Sequence, residues 1–368
     1  MMVMYVKEKA LEVLKIFEDK GYSAYIVGGF VRDYIIGRKT FDIDICTNAT
    51  PKEIVELFEH VKISDFSYGS VNIVYKNVKF DVTTFRKDIK YEDNRKPIKI
   101  KYISNLKDDL LRRDFTINTL CMNSNGEIID LLNGKVDIEN KLIKTVTNSS
   151  SKIKEDSLRI LRAIRFATIL DFEIDKKTKK YIMKYGYLLE NLSNSRKKDE
   201  LTKIFSSVNK EKGRKLLVEL NLDKYLSLSN LKDINLCNDI IGIWAQLGVL
   251  DIYPFTKIEK ENIGKIKELL NYKEIDEYTL YKYGLYLCTV VYDIKKYDKV
   301  ILNELYRELP IYNSKEIDIN PLDISMILEK EPGSYIKNII NDLEKQIVYR
   351  KINNKKDDIL KYIVDNYK

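Results

Sequence analysis

Carboxylates and arginines carry the chemistry open to this chain, because its single histidine, His60, cannot build a His-ligated metal cluster or a repeated acid–base relay. In Phe41-Asp42-Ile43-Asp44-Ile45 apolar residues alternate with aspartates, which predicts a strand over 41–45 with Asp42 and Asp44 on one face. Two carboxylates so placed form an oxygen-only divalent-cation site, and such ligands favour Mg²⁺. Val78-Lys79-Phe80-Asp81-Val82 alternates likewise and offers Asp81. If the two strands are neighbours, three carboxylates converge. That arrangement suits two-metal phosphoryl transfer, one ion activating the attacking hydroxyl and the other stabilising the leaving pyrophosphate. The competing reading is a solvated strand face, and an Asp-x-Asp pair by itself is a weak signal.

Gly28-Gly29, with Arg32 and Asp33 behind them, strengthens the phosphate reading. Two glycines ending a strand let the backbone approach a ligand closely, the following helix N-terminus favours an anion, and Arg32 can bind a triphosphate oxygen. Farther on, Glu155 to Leu170 reads as a helix with an apolar stripe at Ile160, Ile164 and Ala167. Asp156 and Arg159, three apart, are neighbours on its surface. Cytosine and adenine each show an amino donor beside a ring-nitrogen acceptor. A carboxylate only accepts and a guanidinium only donates, so this pair can take both edges. Guanine and uracil show the reverse pattern and would leave buried charges unpaired. Arg162 and Arg165 continue along the helix and can meet phosphates. The plainer alternative is an i,i+3 ion pair on a wet face.

The elements that must hold these groups are mixed at first. Residues 6–19 read as an amphipathic helix with Ala10, Leu11, Leu14 and Phe17 on one side, and 23–27 as a strand running into the glycines. A short helix closes near Gly37, and Thr50-Pro51 starts another with a hydroxyl cap. Strands near 71–75 and 78–84 flank a Lys76-Asn77 turn, and 119–123 and 127–131 form a second hairpin. After the polar run Thr147–Ser151, read as a hinge, the pattern turns helical and stays so. The class is α+β: an α/β head with a small mixed sheet, then an all-helical remainder.

Bulk properties narrow the class further. The chain has 368 residues, 44% hydrophobic and 33% charged, enough for two or more folded domains and unlike a disordered chain. Its net charge of +8 suits a polyanionic partner without requiring one. Cys46, Cys121, Cys237 and Cys288 are too scattered for a zinc site or a disulfide framework. The longest apolar stretch, Ile240 to Leu250, falls short of the roughly 20 residues a bilayer span needs. No membrane partner is expected, and the cytoplasm is the expected location. Trp244, Tyr278, Tyr281 and Tyr286 are expected in the helical core.

Read in order, YIVGGFVRDYIIG, FDIDICTNATP, FDVTTFR, LLRRDFTINTL and EDSLRILRAIRF resemble the class II tRNA nucleotidyltransferase (CCA-adding) and bacterial poly(A) polymerase family, over about residues 22–200. The resemblance implies template-independent addition of nucleotides to a tRNA 3′ end from CTP and ATP, with Mg²⁺ as cofactor. It assigns the metals to Asp42 and Asp44 and the third catalytic carboxylate to Asp81, where the family more usually carries Glu. Gly28, Gly29, Arg32 and Arg113 fall where the family contacts the triphosphate. Asp114 and Asn118 fall where it shapes the site, and Asp156 and Arg159 where it reads the base. Tyr91 to Pro97 matches the loop with which the family switches from CTP to ATP. In LSNSRKKDELTKIF, Arg196 and Glu200 match a further motif, while Ser195 replaces an expected Glu. The implied division is a catalytic head over 1–146, a base-recognising neck over 147–210 and a tRNA-binding body and tail over 211–368. The stretch beyond about residue 210 falls outside the resemblance. The alternatives are an A-adding enzyme or poly(A) polymerase of the same family, an antibiotic-modifying nucleotidyltransferase, and a non-catalytic RNA-binding protein.

Overall fold

Val6, Ala10, Val13, Leu14 and Phe17 are buried along one face of helix α1 (Met2–Asp19), which ends at Gly21 with φ of 83°. Strand β1 (Ala24–Val27) follows, then helix α2 (Gly29–Ile35) and strand β2 (Asp44–Thr47). Thr50 caps helix α3 (Pro51–Leu57) through a reciprocal box with Glu53. Strands β3 (Val61–Asp65), β4 (Ser70–Tyr75) and β5 (Val78–Thr84) come next. Then come a separate antiparallel hairpin, β6 (Arg86–Glu92) and β7 (Lys96–Tyr102), and helix α4 (Leu106–Leu111). Short strands β8 (Cys121–Met122) and β9 (Ile128–Ile129) complete a seven-stranded mixed sheet in the order β3-β4-β5-β2-β1-β8-β9.

The chain is known here from a computed structural model, which describes residues 2–65, 69–92 and 96–368 in two compact units, Met1–Lys232 and Asp233–Lys368. In the first unit, α5 (Gly134–Glu139) and β10 (Leu142–Ile143) lead to α6 (Ser149–Glu155) and α7 (Leu158–Leu170). Strand β11 (Glu173–Ile174) pairs in parallel with β10, ahead of α8 (Lys176–Tyr185), α9 (Asn194–Phe205) and α10 (Lys210–Glu219).

Four details differ from the expectations. The strand expected over 41–45 runs instead over Asp44–Thr47, so Asp42 lies just before it. The alternation still holds where it matters, with Ile43 and Ile45 buried and the two aspartates outward; Phe41 is exposed. Thr147–Ser151 is no hinge: Asn148 accepts from Ser150 N and Ser151 N and starts α6. The helix expected over 155–170 is broken at Asp156, whose φ of −145° is extended.

Beneath the sheet's functional edge, Val27, Cys46, Phe85, Leu110 and Cys121 form one buried cluster. It ties β1, β2, β8 and α4 to a common floor, each large side chain contributing about 1.5–3 kcal/mol on burial. All four cysteines are free and buried.

The second unit is helical: α11 (Ile240–Leu247), α12 (Lys257–Leu270), α13 (Glu277–Lys295), α14 (Lys299–Arg307), α15 (Pro321–Leu328), α16 (Tyr335–Val348) and α17 (Lys356–Tyr367). Trp244 is buried against Tyr253 and Phe255, with ring centroids 5.4 and 5.5 Å away. Tyr278 and Tyr281 are half-buried and stacked, but Tyr286 is 51% exposed. Gly284, with φ of 80°, kinks α13 and shifts the helical phase between those tyrosines. Among the described residues no helix is long and apolar enough to cross a membrane.

Candidate active site

Strand β1 delivers the chain to Gly28, whose φ of 80° and ψ of −131° suit glycine. A Cβ there would stand 3.7 Å from Arg113 Nη1 and 3.8 Å from Asp44 Oδ2, so the glycine backbone lies beside both a cation and an anion. Antiparallel pairing places Val27 opposite Asp44, and parallel pairing of β2 with β5 places Asp44 opposite Asp81. The strands carrying the two aspartates are therefore neighbours in register.

The three carboxylates crowd electrostatically. Burial, then the charge of Asp42, push Asp44 up to about 6, with Arg113 pulling the other way. Burial and Asp42 also raise Asp81. They do not close into a cluster, however. Among the described residues no three His, Cys, Asp or Glu side chains are placed to hold a metal ion. The expected convergence holds at the level of strand register and charge, not as a finished three-ligand cage. The donor set still fits a hard cation: it is all carboxylate oxygen, and its mutual repulsion is what a divalent ion relieves.

A cleft of about 550 Å³ opens above this edge. Of the residues singled out from the sequence, Gly28, Gly29, Arg32, Asp42, Asp44, Arg113, Asp114, Asn118, Asp156, Arg159, Arg162 and Arg165 line it; Asp81 is not among the lining residues. Eight arginines and five aspartates share the lining, so cations outnumber anions on the wall.

Each arginine is aimed by a partner. Arg32 donates from Nη1 to Asn118 Oδ1 at 2.6 Å and from Nε to Asp33 at 2.9 Å. Asn118 in turn donates to Asp114 Oδ1 at 3.1 Å, and Arg162 Nε donates to Asp114 Oδ2 at 2.7 Å. Burial works against the Asp114 charge, yet Arg162, the Asn118 amide and the Phe115 N–H hold its carboxyl well below the usual carboxylate range. Arg165 pairs with Glu200 at 2.7 Å.

Asp109, which the sequence reading passed over, is fully buried. It accepts from Arg112 Nε at 2.8 Å, Arg113 Nη2 at 3.2 Å and the backbone N–H of Arg86 at 3.1 Å. The signal was present: Asp109 lies three and four residues before the two arginines, the spacing of helical neighbours. Arg86, Asp88, Arg112 and Phe166 also line the cleft without having been assigned a role from the sequence, and Arg196, noted there only as a motif match, joins them.

Asp156 and Arg159 face the same cleft. Arg159 commits Nη1 to Lys152 O at 2.8 Å and Glu155 at 2.9 Å, and Nη2 to Arg112 O at 2.9 Å, which fixes its guanidinium plane. Asp156 accepts from Leu158 N at 3.1 Å. Burial raises the Asp156 carboxyl, against the pull of Arg159, Arg196 and Arg162. A desolvated acceptor and a fixed donor thus line the same arginine-rich cleft as the paired aspartates. Of Tyr91–Pro97, the stretch expected to act as the base-switching loop, residues 93–95 lie outside the described residues.

Comparison with known proteins extends these observations. A family profile described as the poly A polymerase head domain matches residues 24–144, one described as an RNA and SrmB binding site of polymerase A matches 171–229, and one described as tRNA nucleotidyltransferase domain 2 matches 250–363. A CCA-adding enzyme of Anoxybacillus flavithermus is 32% identical over 387 residues, covering 98% of this chain and 97% of its own. A CCA-adding enzyme of Bacillus cytotoxicus is 33% identical over 388 residues, with 97% and 98% covered. The crystal structure of the Bacillus stearothermophilus CCA-adding enzyme in complex with CTP superposes with a TM-score of 0.87 at 26% identity, covering 98% of this chain and 97% of that one. The likeness therefore runs through the stretch beyond residue 210, which the motifs alone had left unmatched.

Proposed function

Since the chain belongs to the CCA-adding enzyme family, we propose that it adds CCA to tRNA 3′ ends from CTP and ATP, without a template and with release of pyrophosphate. The observation that carries this reading is that Asp156 and Arg159 line the same arginine-rich cleft as Asp42 and Asp44. A base reader and a metal-compatible carboxylate pair share one nucleotide-sized space.

In this reading Arg32, Arg113, Arg162 and Arg165 bind the triphosphate, Gly28 and Gly29 let the backbone approach it, and Asp114 and Asn118 hold the arginines in place. Asp156 accepts the amino hydrogen of cytosine or adenine while Arg159 donates to the ring nitrogen. Enzymes of the family generally use a divalent metal. We assign Mg²⁺ to Asp42 and Asp44, with Asp81 beside them; when bound it lowers the pKa of the attacking 3′-hydroxyl and neutralises charge on the departing pyrophosphate. Residues 1–146 act as the catalytic head, 147–210 as the base-recognising neck, and 211–368 as the grip on tRNA, whose duplex is held by shape and phosphate contacts. Free thiols suit the reducing cytoplasm, where we place the reaction.

A non-catalytic RNA-binding protein would have no reason to keep Asp42 and Asp44 together in the cleft. The test incubates the purified chain with tRNA ending at the discriminator base and with CTP, ATP or both, and reads product mass. Two cytidines with CTP alone and CCA with both are expected. Incorporation of ATP but never CTP would replace the proposal with A addition or polyadenylation.

A further inference from the structure

Three guanidiniums share one aromatic ring in this cleft. The Cζ atoms of Arg165, Arg32 and Arg162 stand 4.3, 5.1 and 5.3 Å from the centroid of Phe166. Phe166 lines the cleft, is 7% exposed, and packs edge-on against Phe115 at 5.9 Å with an interplanar angle of 82°. The arginines come from two elements, Arg32 from α2 and the other two from α7. They are tied to different acceptors: Arg32 to Asp33 and Asn118, Arg162 to Asp114, Arg165 to Glu200.

Like charges gathered this closely repel, and although Asn118 and Asp114 link Arg32 to Arg162, Arg165 is held separately by Glu200, so these acceptors do not set the spacing of all three. An aromatic ring does both tasks. Its electron-rich face attracts each cation, and its rigid plane sets how far apart they stand. The i, i+3 and i+4 spacing of Arg162, Arg165 and Phe166 places all three on adjoining parts of the α7 surface, and Phe115 packs against the ring.

We propose that Phe166 is a positioning residue whose ring sets the spacing of Arg32, Arg162 and Arg165, so that an incoming polyphosphate meets a preformed cradle. This rests on the reading of the cleft as a nucleoside triphosphate site. Because the ring acts on phosphate ligands rather than on the base, its loss weakens CTP and ATP alike.

The experiment uses the full chain with pentafluorophenylalanine at position 166, which keeps the ring but reverses the charge of its face, alongside Phe166→Leu and Phe166→Tyr. KM and kcat for CTP and for ATP, inhibition by inorganic tripolyphosphate, and thermal melting are measured for each. The fluorinated ring and Phe166→Leu should raise both KM values and the tripolyphosphate inhibition constant by roughly ten-fold, with kcat much less affected. Phe166→Tyr, which keeps an electron-rich face, should stay near wild type. If the fluorinated ring leaves KM and tripolyphosphate inhibition unchanged, or moves only one nucleotide, Phe166 is packing and the proposal fails. Should Phe166→Leu not fold, the fluorinated variant carries the test. A wild-type chain that neither uses nucleotide nor binds tripolyphosphate overturns instead the triphosphate reading, a pattern distinct from a silent position 166.

Discussion

Arg162 grips one oxygen of Asp114 twice, from Nε at 2.7 Å and Nη2 at 2.6 Å, and so clamps α7 to the turn that follows α4. The clamp continues through Asn118 to Arg32, so arginines from α2 and α7 belong to one hydrogen-bonded chain. The wall of the cleft is set by the fold before any ligand arrives, which is what lets charged donors act without reorganising.

Asp114 should therefore make stability pH-dependent. Its pKa is held well below the ordinary value near 4, so its contribution is fully present above pH 4 and is lost as pH falls toward the folded value. Asp114→Asn takes the counter-charge from Arg162 and should cost about 2–4 kcal/mol at pH 7. Urea midpoints measured from pH 7 to pH 3 should fall less steeply for the variant than for wild type. Parallel curves would remove Asp114 from the acid limb.

Gly28 should not tolerate a side chain. At φ of 80° and ψ of −131° an alanine is strained by about 1–3 kcal/mol, while its Cβ would make ordinary contacts, 3.7 Å from Arg113 Nη1 and 3.8 Å from Asp44 Oδ2. Gly28→Ala should raise the KM for CTP by roughly ten-fold or more, while Gly29→Ala, whose Cβ would meet only Arg32 Nη2 at 3.7 Å, should do less. Steady-state kinetics of the two variants side by side decide the point.

Much of this site was legible because its signals are local. The Thr50-Pro51 cap, the glycine turn at Gly28 and the alternation around Asp44 and Asp81 each depend on residues adjacent in sequence, and the structure carries all three. Asp109 was missed because its value lies in what reaches it: two arginine side chains and the backbone of Arg86, brought in by the hairpin. The hairpin itself was missed although Ile98, Ile100 and Tyr102 alternate with lysines in β7, because β6 sets only Ile89 and Tyr91 among charged residues and the stretch joining the two strands was read as a loop. The break at Asp156 was hidden because a helical apolar stripe continues across it, and the kink at Gly284 because glycine is compatible with either conformation.

The crowded carboxylates should trade stability for the metal affinity proposed for them. Asp42→Asn and Asp44→Asn should each lower turnover by about a thousand-fold, and chelation should silence the wild type until Mg²⁺ is returned. Asp81→Asn should cost less, since Asp81 does not line the cleft. Asp44→Asn removes a buried charge and, with it, the repulsion from Asp42, the causes that raise the Asp44 carboxyl, so without metal it should melt above wild type. Calorimetry of the metal-free proteins checks this; an unchanged or lower melting temperature would mean the carboxylates are not in mutual strain.

Base choice should fail before nucleotide binding does when Arg159 is altered. Its guanidinium is held by two backbone carbonyls and Glu155, an investment of buried acceptors that fixes its orientation. Removing it leaves Asp156 able to accept from an amino group but takes away the donor that rejects the reversed edge of uracil and guanine. Arg159→Ala should therefore keep incorporating nucleotides while the preference for CTP over UTP falls by about a hundred-fold. Arg159→Lys should recover little, because a lysine cannot reproduce the planar fork that meets two carbonyls and a carboxylate at once. Competition assays with paired nucleotides give the ratio directly. If the preference for CTP survives in Arg159→Ala, the discriminating donor is some other group in the cleft, and Arg196, whose charge also acts on Asp156, is the next to change.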